Sequence, residues 1–302
     1  MKKKPIKNLS ASVRQRLLNK AHETGRSFSE LLQYYAMERF LYRLSQSSYA
    51  NKFILKGALM FSVWSPELFR PTMDIDLLGK TSNELLSIEK IFKKIISQAV
   101  ESDGIVFDAD SVKVSPIAED ADYSGMRVQF LARLGTARIN MQIDIGFGDI
   151  VTPSAQNIEY PSLLDETTLH IRGYPRESVV AEKFEVMIKL GELNSRMKDF
   201  FDIWFLSRQF DFEGEILSKA IMKTFVNRKT ELPSNPVAFT ENFARGKMNL
   251  WKSFIRRSKL SRVPKDFNEI ISELERFLMP LIESLIARRS FKAHWNASGA
   301  WK

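Results

Sequence analysis

Met73-Asp74-Ile75-Asp76-Leu77-Leu78-Gly79 alternates acidic and apolar side chains and ends on glycine. Side chains of a strand point alternately to its two faces. The run therefore predicts a strand over 73–78, with Asp74 and Asp76 on one face and Ile75 and Leu77 turned toward a core. Two carboxylates this close repel unless a cation sits between them. Mg2+ is the usual solution, because it takes hard oxygen ligands and bridges them to phosphate oxygens. A strand with a solvated acidic face carries the same pattern, and so short a motif often arises by chance, so its neighbours must decide.

Upstream, Phe53-Ile54-Leu55 reads as a short buried strand running into Lys56-Gly57-Ala58 and a short apolar helix through Leu59, Met60, Phe61 and Val63. A glycine at such a bend either makes a turn or lets a phosphate reach backbone N–H groups. Residues 66–71 form a loop that carries Arg70. Downstream, Met141-Gln142-Ile143-Asp144-Ile145-Gly146 alternates again, with Gln142 and Asp144 on one face. Asp144 is either a third acid of a two-metal site or a strand-end residue before a turn; Asp149 reads as a strand-end residue. Glycine turn, short helix, loop, paired acids and a later lone acid, in this order, resemble the polymerase β-type nucleotidyltransferase superfamily.

Outward from this centre, helices are expected over 10–24, capped by Ser10 or Ser12 and ended by Gly25, and from Ser27 to about Gln46. An amphipathic helix is expected over 82–102, and strands over 111–117, 125–134 and 137–145, the last two joined as a hairpin at Gly135-Thr136. Residues 150–170 read as loop. Helices follow at about 177–190, 195–208, 213–226, 240–257 and 266–288, with Pro280 expected to kink or break the last. The fold class is α+β, a mixed-sheet half followed by a helical bundle, divided as 1–170 and 171–302.

Two features of the helical half carry charge. Lys183 sits in the apolar stripe of Val179, Met187 and Leu190, where an ammonium either meets an anion or snorkels to water. In Arg196-Met197-Lys198-Asp199-Phe200-Phe201-Asp202, the residues Lys198, Asp199 and Asp202 fall within about 100° of one another on a helix. They form either a narrow solvated face or a charged strip facing a cleft. Lys198–Asp202 and Arg196–Asp199 are also spaced for local ion pairs.

The chain has no cysteine, which excludes disulfides and thiolate metal sites and suits a reducing cytoplasm. The basic start at Met1–Pro5 is followed by no apolar run, and no segment approaches transmembrane length, so neither a signal peptide nor a membrane is expected. The net charge of +9 suits an anionic partner, nucleic acid or acidic protein. Lys247, Arg256, Arg257 and Lys259 either track an RNA backbone or make a solvated helix face.

Several segments together resemble the AbiEii-type, MenT-like nucleotidyltransferase toxins of abortive-infection toxin–antitoxin systems. These are Ser12–Leu18, Glu38–Ser45, Phe53–Ala58, Arg70–Leu77 and, most tellingly, Arg196–Asp202. The resemblance implies a polymerase β-like nucleotidyltransferase domain with two N-terminal helices, then a helical bundle. It implies Mg2+, in a two-metal site held by Asp74, Asp76 and Asp144, and nucleotide contacts from Lys56, Gly57, Ala58, Arg70, Lys183, Arg196 and Lys198. Lys183, Asp199 and Asp202 are carried over as catalytic residues beside the three acids. Where much of the superfamily has Gly-Ser or Gly-Gly, this chain has Gly57-Ala58, so phosphate contact there would come from backbone N–H groups. The implied reaction moves a nucleoside monophosphate from an NTP to a nucleic-acid acceptor, the tRNA 3′ end, and blocks translation in the cytoplasm. A cognate antitoxin encoded nearby is implied as partner. The alternatives are a non-catalytic protein binding GTP or another nucleotide, and transfer to a small molecule, against which the basic charge argues mildly.

Overall fold

A computed structural model of the chain buries every residue of its second helix from Leu31 to Leu41, polar ones included. It describes residues 8–65, 71–117, 125–164, 168–260, 262–297 and 299–302. By its contacts the chain divides into two units, Met1–Gly148 with Gln156–Gly173, and Asp149–Ala155 with Tyr174–Lys302.

The first unit opens with α1 (Leu9–Thr24) and α2 (Phe28–Gln46). Asn8, not Ser10 or Ser12, caps α1, accepting from the Ala11 N–H, and Gly25 ends it in the left-handed region. Ser27 caps α2 by accepting from the Glu30 N–H. Because α2 is enclosed, its polar side chains need partners. Arg43 grips Asp103 with two hydrogen bonds, at 2.6 and 3.1 Å. Glu38 pairs with Arg39 and accepts from the Leu163 N–H at 2.9 Å. Burial pushes the Glu38 carboxyl above its ordinary value, with the Arg39 charge opposing.

Strands β1 (Phe53–Lys56), β2 (Ile75–Gly79), β3 (Ile105–Ile117), β4 (Gly125–Leu134), β5 (Ala137–Phe147), β6 (Gln156–Tyr160) and β7 (Leu169–Gly173) form one sheet. Its order is β3-β4-β5-β2-β1-β7-β6. The β2–β5 and β1–β7 pairs are parallel and the others antiparallel, so the sheet is mixed. The short helix α3 (Leu59–Trp64) follows β1, and α4 (Leu85–Ile96) follows β2.

The helix expected over 82–102 is therefore shorter. Asp103, held by Arg43, accepts from the Ile105 N–H at 3.0 Å, and the chain turns there into a β3 that starts earlier than expected. The stretch read as loop holds β6 and β7. Their buried residues alternate, Ile158 with Tyr160 and Leu169 with Ile171, a pattern the loop reading passed over.

The second unit contains α5 (Arg176–Leu190), α6 (Met197–Gln209), α7 (Gly214–Asn227), α8 (Glu241–Ser258) and α9 (Phe267–Ile286). Helix α9 is not broken at Pro280. Phe277, Leu278, Leu281 and Ile282 on either side of the proline are fully buried, and that packing outweighs the missing hydrogen bond. A small sheet of β8 (Phe212–Glu213), β9 (His294–Asn296) and β10 (Ala300–Trp301) was not expected from the sequence. Its Trp295 and Trp301 pack around Phe277, with ring centroids 4.7 and 5.8 Å away.

Residues 149–155 belong to the helical unit for a physical reason. Thr152 and Ser178 exchange two hydrogen bonds, at 2.8 and 2.9 Å. Asp149 is not a plain strand-end residue; it is buried and paired with Arg228 at 2.9 Å. The same guanidinium meets Glu185 at 2.7 Å and Glu182 at 3.5 Å. Burial pulls the Arg228 pKa down, but the three carboxylates outweigh it and hold it above its ordinary value.

Removing one member of such a buried cluster leaves the others uncompensated. Arg228→Met is therefore expected to lower the stability of the helical unit by about 3–5 kcal/mol. Denaturant unfolding followed by tryptophan fluorescence measures this, and a loss below about 1 kcal/mol would put the cluster on a par with a surface ion pair.

Candidate active site

Strand pairing aligns four charged residues in one row. Lys56 of β1 is in register with Asp76 of β2, Asp76 with Asp144 of β5, and Asp144 with Arg127 of β4. Residues directly opposite in a sheet share a face, so the row reads cation, anion, anion, cation along one side. On the other side Ile75, Leu77, Ile143 and Ile145 are fully buried. The expected alternation of both acidic strands is thus observed, and the parallel β2–β5 register makes Asp76 and Asp144 neighbours.

Asp74 lies just before β2 rather than within it. Thr72 donates its hydroxyl to Asp74 Oδ1 at 2.5 Å. Helix α2 fixes this approach to the strand. The Thr72 N–H donates to the Tyr34 hydroxyl at 3.0 Å, and Gln33 Nε2 donates to the carbonyls of Met73 and Asn140, both at 3.2 Å.

Gly57 has φ of 70°, and a Cβ added there would lie 1.9 Å from Asp76 Oδ2. Both facts require glycine, one through backbone conformation and one through the carboxylate packed against it. Ala58 is buried, and α3 has no side-chain cap. Arg70 lies outside the described residues.

Asp144 is held from the side. Arg127 Nε donates to Oδ1 and Nη2 to Oδ2, both at 2.8 Å. Arg127 was missed in the sequence, although a signal for it was present. The hairpin turn at Gly135-Thr136 pairs Leu134 with Ala137, and counting outward pairs Arg127 with Asp144.

Among the described residues no three carboxylate, histidine or cysteine side chains are grouped so as to hold a metal ion. Arg127 holds Asp144, and Thr72 bonds Asp74. The donor set still suits Mg2+, which is commonly bound through one or two carboxylates with water and substrate phosphates supplying the rest.

In the helical unit, Lys183 reaches anions of its own chain instead of snorkelling. Its Nζ lies 2.5 Å from Asp199 Oδ1 and 2.8 Å from Asp202 Oδ2, while Arg196 Nε donates to Asp199 Oδ2 at 3.0 Å. Asp199 and Asp202 are buried, so the wedge is not a solvated face; Lys198 alone of the three is exposed. Burial raises the Asp199 pKa, but the charges of Lys183 and Arg196 outweigh it and hold the carboxyl below its ordinary value. The candidate residues thus fall into two groups, Lys56, Gly57, Asp76 and Asp144 in the sheet unit and Lys183, Arg196, Asp199 and Asp202 in the helical unit.

Comparison with known proteins adds the following. Residues 39–273 match the model of a family described as the nucleotidyl transferase AbiEii toxin, a type IV toxin–antitoxin system. Among solved structures, JHP933 from Helicobacter pylori is 15% identical, covering 87% of this chain and 95% of its own, with a TM-score of 0.48. A candidate nucleotidyltransferase of the same organism is 16% identical, covering 86% and 98%, with a TM-score of 0.47. No curated protein sequence matches.

The contact between Gly57 and Asp76 can be tested directly. Gly57→Ala is expected to destabilise the sheet unit by about 1–3 kcal/mol, through strain and displacement of the carboxylate. In an Asp76→Gly background the cost should shrink by roughly 1 kcal/mol, as residues in contact are not additive. Equal costs in both backgrounds, measured by denaturant unfolding, would show that the carboxylate is not the obstacle.

Proposed function

The chain belongs to the AbiEii nucleotidyltransferase toxin family, and on that premise we propose that it transfers a nucleoside monophosphate from an NTP to the 3′ end of an RNA, tRNA by preference, and so blocks translation. Family membership itself makes the chain a nucleotidyltransferase and implies an NTP substrate and an antitoxin partner. Among the described residues no helix is long and apolar enough to cross a membrane.

The observation that carries the reaction is the in-register row of Lys56, Asp76, Asp144 and Arg127. Asp74 and Asp76 would hold Mg2+, with Asp144 joining when Arg127 yields it. Bound there, the ion would neutralise phosphate charge and make a hydroxyl more acidic. In the transfer, the acceptor 3′-oxygen bonds to the α-phosphorus, the bond to pyrophosphate breaks, and pyrophosphate leaves. Asp144 would take the hydroxyl proton. Lys56, at the end of β1, would meet the phosphates, and Gly57 would let Asp76 sit against the turn. Arg196 and Lys198 are exposed enough to meet a phosphate. Lys183 already has two carboxylate partners, so its role would be to fix Asp199 and Asp202 between α5 and α6.

What favours a nucleic-acid acceptor is the location of the positive charge. Residues 241–265 carry eight Lys and Arg against the single Glu241, a net +7 of the +9 of the whole chain. On α8, Arg245, Lys252 and Arg256 recur at helical spacing and are exposed, and so is Lys259, which caps the helix end. Lys247 is less available, lying 5.5 Å from the centre of the Phe243 ring. A cationic stripe on one helix face suits a phosphate backbone, which is bound by neutralising successive charges.

Labelling total cellular RNA with each radiolabelled NTP tests the reaction. Wild-type protein is expected to label one RNA size class, and Asp76→Asn to fall to background while remaining folded by circular dichroism. Nucleotide binding without any labelled product would favour a non-catalytic binding protein. Replacing Arg245, Lys252, Arg256 and Lys259 with Gln is expected to weaken RNA binding and to reduce the slope of log affinity against log salt by about 3. An unchanged slope would remove α8 from the acceptor site.

A further inference from the structure

Asp76 and Asp144 are register neighbours on adjacent parallel strands, so their backbones lie about 5 Å apart. Like charges in such a cross-strand pair repel and destabilise the sheet. Arg127 answers this on the β4 side. Its guanidinium engages both oxygens of Asp144, and Gln142 Nε2 lies 3.5 Å from Oδ2. A cation that uses Asp144 therefore competes with an existing partner.

The strength of that partner decides whether displacement is feasible. The Arg127 and Asp144 side chains are 35% and 19% exposed. A pair this open to water contributes on the order of 1 kcal/mol or less, far below a buried pair. It is strong enough to orient a carboxylate and weak enough to exchange.

We propose that Arg127 is a positioning residue, a built-in counter-cation that occupies Asp144 in the metal-free protein and yields it when a divalent cation enters beside Asp76. This rests on reading the acids as the cation site of a nucleotidyltransferase. The released guanidinium fork has the shape that a phosphate accepts through two parallel hydrogen bonds. An NTP phosphate then gives Arg127 a new partner in place of Asp144. Cation and triphosphate consequently help each other to bind, while either alone binds weakly.

The test is a Mn2+ titration of the full chain without nucleotide, following the free-ion signal by electron paramagnetic resonance. Arg127→Gln and Arg127→Lys are each expected to tighten Mn2+ binding by about threefold to fivefold, the size of one half-exposed ion pair. Lysine keeps the charge but lacks the two-point grip, so it separates exchange from a simple field effect. In an Asp144→Asn background the gain should vanish. Arg127→Gln should also melt at a lower temperature in chelator and recover with Mn2+, since a cation that binds only the folded state stabilises it. The inference is overturned if Arg127→Gln stays folded with affinity unchanged or weaker, if Arg127→Lys binds like wild type, or if the gain survives in Asp144→Asn. Those results, with wild-type Mn2+ binding intact, leave the nucleotidyltransferase reading standing. Mn2+ binding by none of the proteins would overturn both.

Discussion

Two carboxylates forced side by side are the constraint around which the sheet unit is organised. The parallel pairing of β2 with β5 puts Asp76 beside Asp144, and no side-chain rearrangement can move their backbones apart. The neighbouring strands supply what this requires: Lys56 in register on one side and Arg127 on the other. Glycine at position 57 leaves room for the Asp76 carboxylate against the turn. Helix α2 holds the strand's approach through Tyr34 and Gln33.

Charge burial elsewhere in the chain obeys the opposite logic. Arg43 with Asp103, Lys183 with Asp199 and Asp202, and Arg228 with Asp149 and Glu185 are closed, largely dehydrated clusters. Such clusters add little net stability over apolar packing, but they tolerate only one arrangement, because a lone buried charge is expensive. They fix helix α2 to the start of β3, α5 to α6, and the segment around Asp149 to the helical unit. The contrast in exposure separates them from the sheet row: Asp202 is fully buried, whereas the Arg127–Asp144 pair remains open to water.

How much was legible follows the range of the interaction. Alternation in 73–78 and 141–146, the stop at Gly25, and the apolar stripes of the helices are local patterns, and they located most elements within a few residues. The alternation of Ile158 with Tyr160 in β6 and of Leu169 with Ile171 in β7 was passed over, and that stretch was read as loop. Helix α9 passes through Pro280 because its flanks are packed, which no local rule anticipates. Asp149 looked like any polar residue at a strand end, since Arg228, its partner, lies far along the chain.

The sequence alone determined the mixed α+β class, the acids at 74, 76 and 144, and the basic character of 241–265, because each depends on residue type and short-range periodicity. Only the tertiary structure decided which charges meet. Register aligned Asp76 with Asp144 and gave Asp144 to Arg127; helix packing turned Lys183 toward Asp199 and Asp202. Pairing of this kind depends on contacts between residues distant in sequence, whose geometry is fixed only once the strands and helices have chosen their neighbours.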